Sequence, residues 1–405
     1  TTPYTNANFK DGFTNGITFP ANGSSGYQIS SAITVIGNPN LKPENTYSYE
    51  LGTDLSFLNN RITLNATAYY SKSKDVILQV SIPYSAGFSG ELLNASTISN
   101  KGLELTLNTT PVRTSYGLKW DLILNWSRNI NKIEKLYPGI DNYFMGGFGA
   151  GEAGIFAIPG QPVGVIYGST TPHADLNDLK SPLLINDDPA AGDMYGQPIG
   201  GGVGPSLVIG NPNPDWIGSA ISTLSYKGLS FFAQVDIRHG GVMWNGTRGA
   251  LINKGTSYKT DNRGTPVVFK GLLGHIDEAG NVVHFEGIDV KPGPGAENTI
   301  QSSYNQDYWQ NTGNSFGGGQ ETDIEDASFV RIRQLSLTYE LTTSLIKKVF
   351  TSLSLTAFAN NLKLWTDYDG VDPETSLSGP SNVQGLDYFN NPSTKSYGLR
   401  LTAGF

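Results

Sequence analysis

The chain has 405 residues, 38% of them hydrophobic, with 49 Gly, 20 Tyr, 18 Phe, no Cys and a formal net charge of −8. No apolar run approaches the roughly eighteen residues of a membrane-spanning helix, no basic cluster marks a nucleic-acid surface, and the lack of Cys excludes disulfides and thiolate metal sites. A transmembrane β-barrel stays open, because a barrel strand crosses a bilayer with about ten alternating residues, half of them polar.

The first residues, Thr1-Thr2-Pro3-Tyr4, are neither a translation start nor a signal peptide, so the chain reads as mature, truncated or one piece of something larger. Residues 28–36 read as a first strand. In 47–57, Tyr47, Tyr49, Leu51, Leu55 and Phe57 alternate with Ser48, Glu50, Gly52, Asp54 and Ser56, a period of two that makes one strand face apolar. A tight turn at 58–60 leads to Ile62, Leu64, Ala66, Ala68 and Tyr70 on the next strand, so the two form a hairpin. A long loop near 74–99 follows. Leu103, Leu105 and Leu107 then face Leu118, Trp120, Leu122, Leu124 and Trp126 across a short turn. A Gly-rich loop near 130–215 precedes the hairpin 217–226/229–238, turned at Lys227-Gly228. A loop near 240–326 precedes strands 329–341 and 353–361, joined by a turn at 344–348. After a loop near 363–394, Tyr397, Leu399, Leu401, Ala403 and Phe405 alternate with small and polar residues to the last position.

Short turns and long loops therefore alternate. Structureless loops of this length are unusual inside a compact soluble domain but fit a transmembrane barrel with short periplasmic turns and long extracellular loops. Counting from the turn at 58–60 puts every short turn, and Phe405, on the periplasmic side. Tyr47, Tyr70, Trp126, Tyr226, Tyr339, Tyr397 and Phe405 lie near strand ends, as girdle aromatics do. The expected fold class is all-β: a transmembrane antiparallel barrel of about ten strands here, a partial barrel rather than a closed one. The competing fold is a soluble sandwich or propeller, which alternates in the same way.

Four blocks carry a family resemblance. They are Asn38-Pro-Asn-Leu-Lys-Pro-Glu44 with Glu50-Leu-Gly-Thr-Asp54; Pro159-Gly-Gln-Pro-Val-Gly-Val-Ile-Tyr-Gly168; Gly210-Asn-Pro-Asn-Pro-Asp-Trp216 with Gly240-Gly241; and Ser328-Phe-Val-Arg-Ile-Arg-Gln-Leu-Ser-Leu-Thr-Tyr339 with Ala359-Asn-Asn-Leu362 and Asp369-Gly-Val-Asp-Pro-Glu374. In this order and spacing the chain resembles the SusC/RagA family of TonB-dependent outer-membrane transporters of Bacteroidota. The resemblance implies the C-terminal part of a 22-stranded plugged barrel, whose plug, TonB box and earlier strands lie outside this sequence, so that this chain alone transports nothing. It also implies a SusD-like surface lipoprotein as lid, TonB as energy source through the N-terminal part, and import of oligosaccharides or peptides. The alternative is a SusC-like barrel serving as a structural subunit of a larger outer-membrane assembly. A soluble adhesin or glycan hydrolase stands third.

No catalytic constellation appears: no G-x-S-x-G elbow, no P-loop and no Cys nucleophile. Candidate substrate contacts are loop aromatics, Tyr143, Phe144, Phe148, Trp244, Tyr304, Tyr308 and Trp309, set against packing of the loops on one another or on a lid. Asp367, Asp369, Asp372 and Glu374 crowd four carboxylates into eight residues and are the candidate cation site, set against a solvated loop held by the Asp372-Pro373 turn. Relatives carry a D-x-N-x-D-G segment where this chain reads 175–178 and 186–193, whose spacing is not that of an EF-hand; no cofactor is expected, and calcium in the extracellular loops is the one candidate weighed against that reading. His275 with Asp277 and His284 with Glu286 are read as solvated loop residues rather than metal ligands.

Overall fold

The computed structural model describes residues 12–18, 25–30, 35–83, 88, 90–148, 153–341 and 349–405. Nine long strands form one antiparallel sheet: β1 (Asn45–Phe57), β2 (Ile62–Ser81), β3 (Gly90–Arg113), β4 (Leu118–Leu136), β5 (Trp216–Tyr226), β6 (Leu229–His239), β7 (Phe329–Glu340), β8 (Ser352–Thr366) and β9 (Ser396–Gly404). Each pairs with its neighbours in sequence, so the sheet is an up-and-down meander. Among the described residues no strand covers the outer edges of β1 and β9, and the barrel wall is partial rather than closed.

The pleat sorts side chains as the alternation requires. Tyr226, Leu229, Tyr339, Leu355 and Leu401 are successive cross-strand partners from β5 to β9. All five stay exposed, from 41% to 68%. One step along, Leu224, Phe231, Leu337 and Leu399 continue the apolar band. The opposite face is polar and internally bonded: Ser225 to Ser230 at 2.9 Å, Thr338 to Thr356 at 2.9 Å, and the chain Thr106–Asn125–Ser219 at 2.9 and 3.0 Å. Gly398 has a packing reason on this face, since a Cβ there would lie 2.4 Å from the Phe358 ring.

Three boundaries differ from expectation. The segment 28–36 is not one strand: Ser25–Ser30 pairs with Gly12–Thr18 apart from the main sheet, residues 31–34 lie outside the described ones, and Val35–Ile36 pairs parallel with Gly90 and Glu91. The loop expected near 74–99 is mostly hairpin, because β2 and β3 run on beyond the length that crosses a bilayer, with a bulge near Asp75 (φ 60°). Polar and apolar residues are mixed on both faces of these extensions, so no lipid-face alternation marks them. The turn expected at 344–348 lies outside the described residues.

The long loops are folded. Residues 143–210 hold a four-stranded sheet, and Val242–Asn245 pairs with both Ile324–Asp326 and Leu386–Asp387. With 74–99 mostly hairpin, three long loops remain, the first near 130–215, the second near 240–326 and the third near 363–394; Leu184–Ile185 pairs with Leu272–Leu273, tying the first loop to the second. Ala153, Ile155, Ile166, Ile209, Trp244 and Leu386, drawn from all three loops, form the principal buried cluster. The helices α1 (Gly246–Asn253) and α2 (Gln306–Asn311) belong to the second loop. At the short-turn end, by contrast, Leu58, Asn59 and Asn60 close β1 to β2 in left-handed conformations.

The matching blocks of the sequence anchor these loops. Asn38 donates to the Leu92 carbonyl at 3.1 Å, Lys42 and Asn94 exchange hydrogen bonds at 2.8 Å, and the Glu44 carboxylate accepts from Ile77 N–H at 2.7 Å. Asn213 donates to the Val163 carbonyl at 3.0 Å, and Val163 N–H donates to Asn131 at 2.7 Å, joining the second and third blocks. Gly240 N–H donates to Ser328 Oγ at 2.8 Å, joining the third to the fourth. Gly240 and Gly241 have φ of 75° and 81°, a turn that side chains resist.

Candidate functional site

Two arrangements stand out: a charged cleft on the polar face of the wall, and an aromatic cluster in the second loop.

The cleft, about 620 Å³, runs between the inner face of β3–β7 and the loops. Its polar lining includes Glu104, Asn125, Ser219, Asp236, Arg333 and Glu374. Arg333 enters it through a bulge. The pairing of β7 with β8 shifts between Ile332 and Gln334, and Asn361 opposite takes φ 52°. A bulge re-aims a side chain, and Arg331 and Arg333 both reach Glu374. Arg333 donates to Asp236 at 2.6 Å and to both oxygens of Glu374 at 2.8 and 3.0 Å. Arg331, only 2% exposed, donates to Asp372 at 2.5 Å, and its Nε lies 3.2 Å from Glu374. That Nε contact is an ion pair without hydrogen-bond geometry, so the Asp372 bond holds Arg331.

This network answers the expectation of a cation site at 367–374. Asp372 and Glu374 are neutralised by arginines, Asp369 pairs with Lys259 at 2.7 Å, and Asp367 is exposed and apart. Among the described residues no group of three or more His, Asp or Glu is placed to hold a metal. Burial alone would raise the Asp372 carboxyl, but hydrogen bonds from Arg331, Ser393 and the Glu374 backbone outweigh it and hold the group below its ordinary value. The Asp-rich segments of the first loop are turns in the same way: Asp175 accepts from Asn177 N–H, Asp178 from Lys180 N–H and Asp188 from Ala190 N–H. Asp187 is buried and holds His275 at 2.7 Å and Phe285 N–H at 2.7 Å. His284 bonds the Gly293 carbonyl at 2.8 Å. Both histidines are half-buried loop fasteners rather than the solvated residues expected, and His275 bonds Asp187 instead of Asp277.

The seven candidate aromatics do not form one surface. Trp244 is fully buried and packs at a tilt against Phe148 and Phe316, at 5.9 and 5.8 Å between ring centres. Its role is packing, which corrects the expectation that it meets substrate. Phe148 adds Tyr388 at 3.9 Å and belongs to the same core. Phe144 is 53% exposed but packs edge-on to Phe156, and Tyr143 packs beside Ile133. Tyr304, Tyr308 and Trp309 form a second cluster around Phe269: Tyr304 stacks on Trp309 at 5.6 Å and Tyr308 on Phe269 at 4.9 Å. Burial, with Tyr304 adding to it, pushes the Tyr308 hydroxyl up to about 12. Sequence reasoning missed Arg331, Arg333 and Asp236, whose partners lie 41 to 97 residues away; paired arginines in a strand otherwise apolar on alternate positions were the available signal.

Residues 1–362 match the family model described as TonB dependent receptor-like, beta-barrel. TonB-dependent receptor P26 of Formosa agariphila is 28% identical over 90% of this chain, and receptor P3 of the same organism 26% over 92%; in both, the match covers 35% of the relative. TonB-dependent receptor SusC of Bacteroides thetaiotaomicron is 37% identical over 106 residues, 26% of this chain and 10% of SusC. Among solved structures, the RagAB peptide transporter superposes over 97% of this chain and 38% of its own with a TM-score of 0.60, and the open-open RagAB peptide importer over 99% and 38% with 0.62, both at 20% identity. The chain thus spans about a third of the length of the relatives it matches. It belongs to the TonB-dependent receptor β-barrel family and is an outer-membrane β-barrel chain, with its exposed apolar band facing lipid.

Proposed function

We propose that this member of the TonB-dependent receptor β-barrel family is the C-terminal part of a SusC-like importer. In that reading oligosaccharides or peptides are taken up under a SusD-like lipoprotein lid, with TonB acting through a plug-bearing segment. The observation that carries it is the loop layer. Three long loops share one buried core and stand over a charged cleft on the inner face of the wall. A structural wall needs no such layer, whereas a receptor must hold binding loops rigidly above its channel. The similarity to SusC, and to structures titled peptide transporter and importer, supports the same reading. The relatives are receptors and transporters, and no catalytic step is proposed.

The test is mass spectrometry of everything that co-purifies with the chain from detergent-extracted outer membranes, joined to uptake by cells carrying or lacking it. A plug-bearing segment, one lipoprotein and loss of uptake of a saccharide or peptide on deletion are expected. A fixed set of unrelated outer-membrane subunits, with uptake intact, would contradict the proposal and favour a structural subunit.

A further inference from the structure

The second loop holds a pocket distinct from the wall cleft, of about 320 Å³, between the end of α1 and the start of α2. Tyr304 and Trp309, near-parallel at 21°, supply an aromatic wall. Asn253, Gln306 and Gln310 supply amides, and Lys254 and Arg263 supply two cations. No carboxylate lines it.

Three observations give this pocket a ligand chemistry. First, the cations lack ion-pair partners: among the described residues neither Lys254 nor Arg263 is in an ion pair, and Arg263 spends only its Nε, on the Thr260 carbonyl at 2.9 Å. Their charge is therefore open to a ligand, in contrast to Arg331 and Arg333, both ion-paired. Second, Trp309 lines the pocket beside Tyr304, so the wall offers aromatic ring surface to a ligand. Third, the amides are only half used. Asn253 donates to the Gln310 carbonyl at 3.1 Å and Gln306 to Gln310 Oε1 at 3.2 Å, leaving Asn253 Oδ1 and Gln306 Oε1 as acceptors for hydroxyl groups.

We propose that this pocket binds an acidic saccharide unit, its ring against the Tyr304–Trp309 wall, its hydroxyls on the amides and its carboxylate or sulfate on Lys254 and Arg263. An acidic peptide fits less well. Peptides are commonly held by pairing with a strand edge, and the lining here is helix and turn. The inference rests on the importer reading and narrows its cargo to charged glycans.

The full-length receptor in detergent would be titrated calorimetrically with three oligosaccharides of equal length, neutral, hexuronate and sulfated, and with tetraglutamate. One or both acidic saccharides should bind about tenfold or more tighter than the neutral one, as expected for charge-assisted hydrogen bonds. The double substitution Lys254→Gln/Arg263→Gln, at exposed positions that leave the fold intact, should remove that preference and spare neutral-ligand binding. Equal binding of all three saccharides, a preference that survives the double substitution, or binding of tetraglutamate instead would overturn the proposal. A receptor that imports cargo but shows no acidic preference defeats this inference alone. One that imports neither saccharide nor peptide defeats the importer reading, and the titration still decides the pocket.

Discussion

In the wall, Leu229, Phe231, Leu337, Leu399 and Leu401 point outward and stay exposed, whereas in the loops Ile155, Ile166, Leu184, Met243, Trp244 and Leu386 are sealed from solvent. Both regions contain paired β-strands, long in the wall and short in the loops, yet they use apolar side chains in opposite ways. The reason is the solvent. Against lipid a strand satisfies its backbone through the ladder and offers apolar groups outward. The loops meet water and need an ordinary hydrophobic core. A domain-sized core has therefore formed in segments that the sequence presented as connections.

The contrast can be broken first at Trp244. Trp244→Ala empties the loop core and should destabilise the loop layer by about 3–5 kcal/mol while the wall stays folded. Limited proteolysis should cut residues 137–215 and 240–328 faster, with heat-modifiable migration of the barrel unchanged. Loss of both would mean that wall and loops fold as one unit.

Arg331 joins the two regions. Arg331→Ala strands the buried Asp372 carboxylate, at a cost of about 3–5 kcal/mol, read as a lower denaturant midpoint for loop unfolding. The pH dependence has a definite sign. The folded-state pKa of Asp372 is depressed, so its contribution is complete above the ordinary Asp value of about 3.9 and is lost as pH falls toward the folded value. Native protein should lose loop stability on acidification below about pH 4, and Asp372→Asn should flatten that loss.

On the wall, Leu401→Arg puts a cation in lipid and should impair assembly by about 2–4 kcal/mol. Thr402→Arg, on the polar face, should assemble normally. Folded yield in outer membranes separates the two, and equal tolerance would mean that the register of β9 is wrong. The smallest effect is at α2, where Asn305 caps the helix by accepting from Tyr308 N–H at 2.8 Å. Asn305→Ala should cost about 1 kcal/mol, seen as faster amide exchange at 306–311 with the wall unaffected.

What could be read from the chain follows the same division. Alternation at 47–57, 229–238 and 397–405 is visible because lipid and lumen differ so strongly that every second residue must change character. Leu184, Ile185, Met243 and Leu386 sit in two- to four-residue strands, too short for any period to show. The carboxylates at 367–374 looked like a cation site because their arginines lie about forty residues away, one of them on a bulge that breaks the alternation. Trp244 reads as a ligand contact in sequence because an aromatic in a glycine-punctuated loop carries no local sign of burial.

The assignment of faces is tested most directly by spin labels on single cysteines, a simple design because the chain has none of its own. Labels at Leu337, Leu355 and Leu401 should collide with oxygen and be shielded from a water-soluble nickel chelate, while labels at Ser336, Ser354 and Thr402 show the reverse. Similar accessibility at both sets of positions would contradict a lipid-facing band and, with it, the inversion between wall and loops.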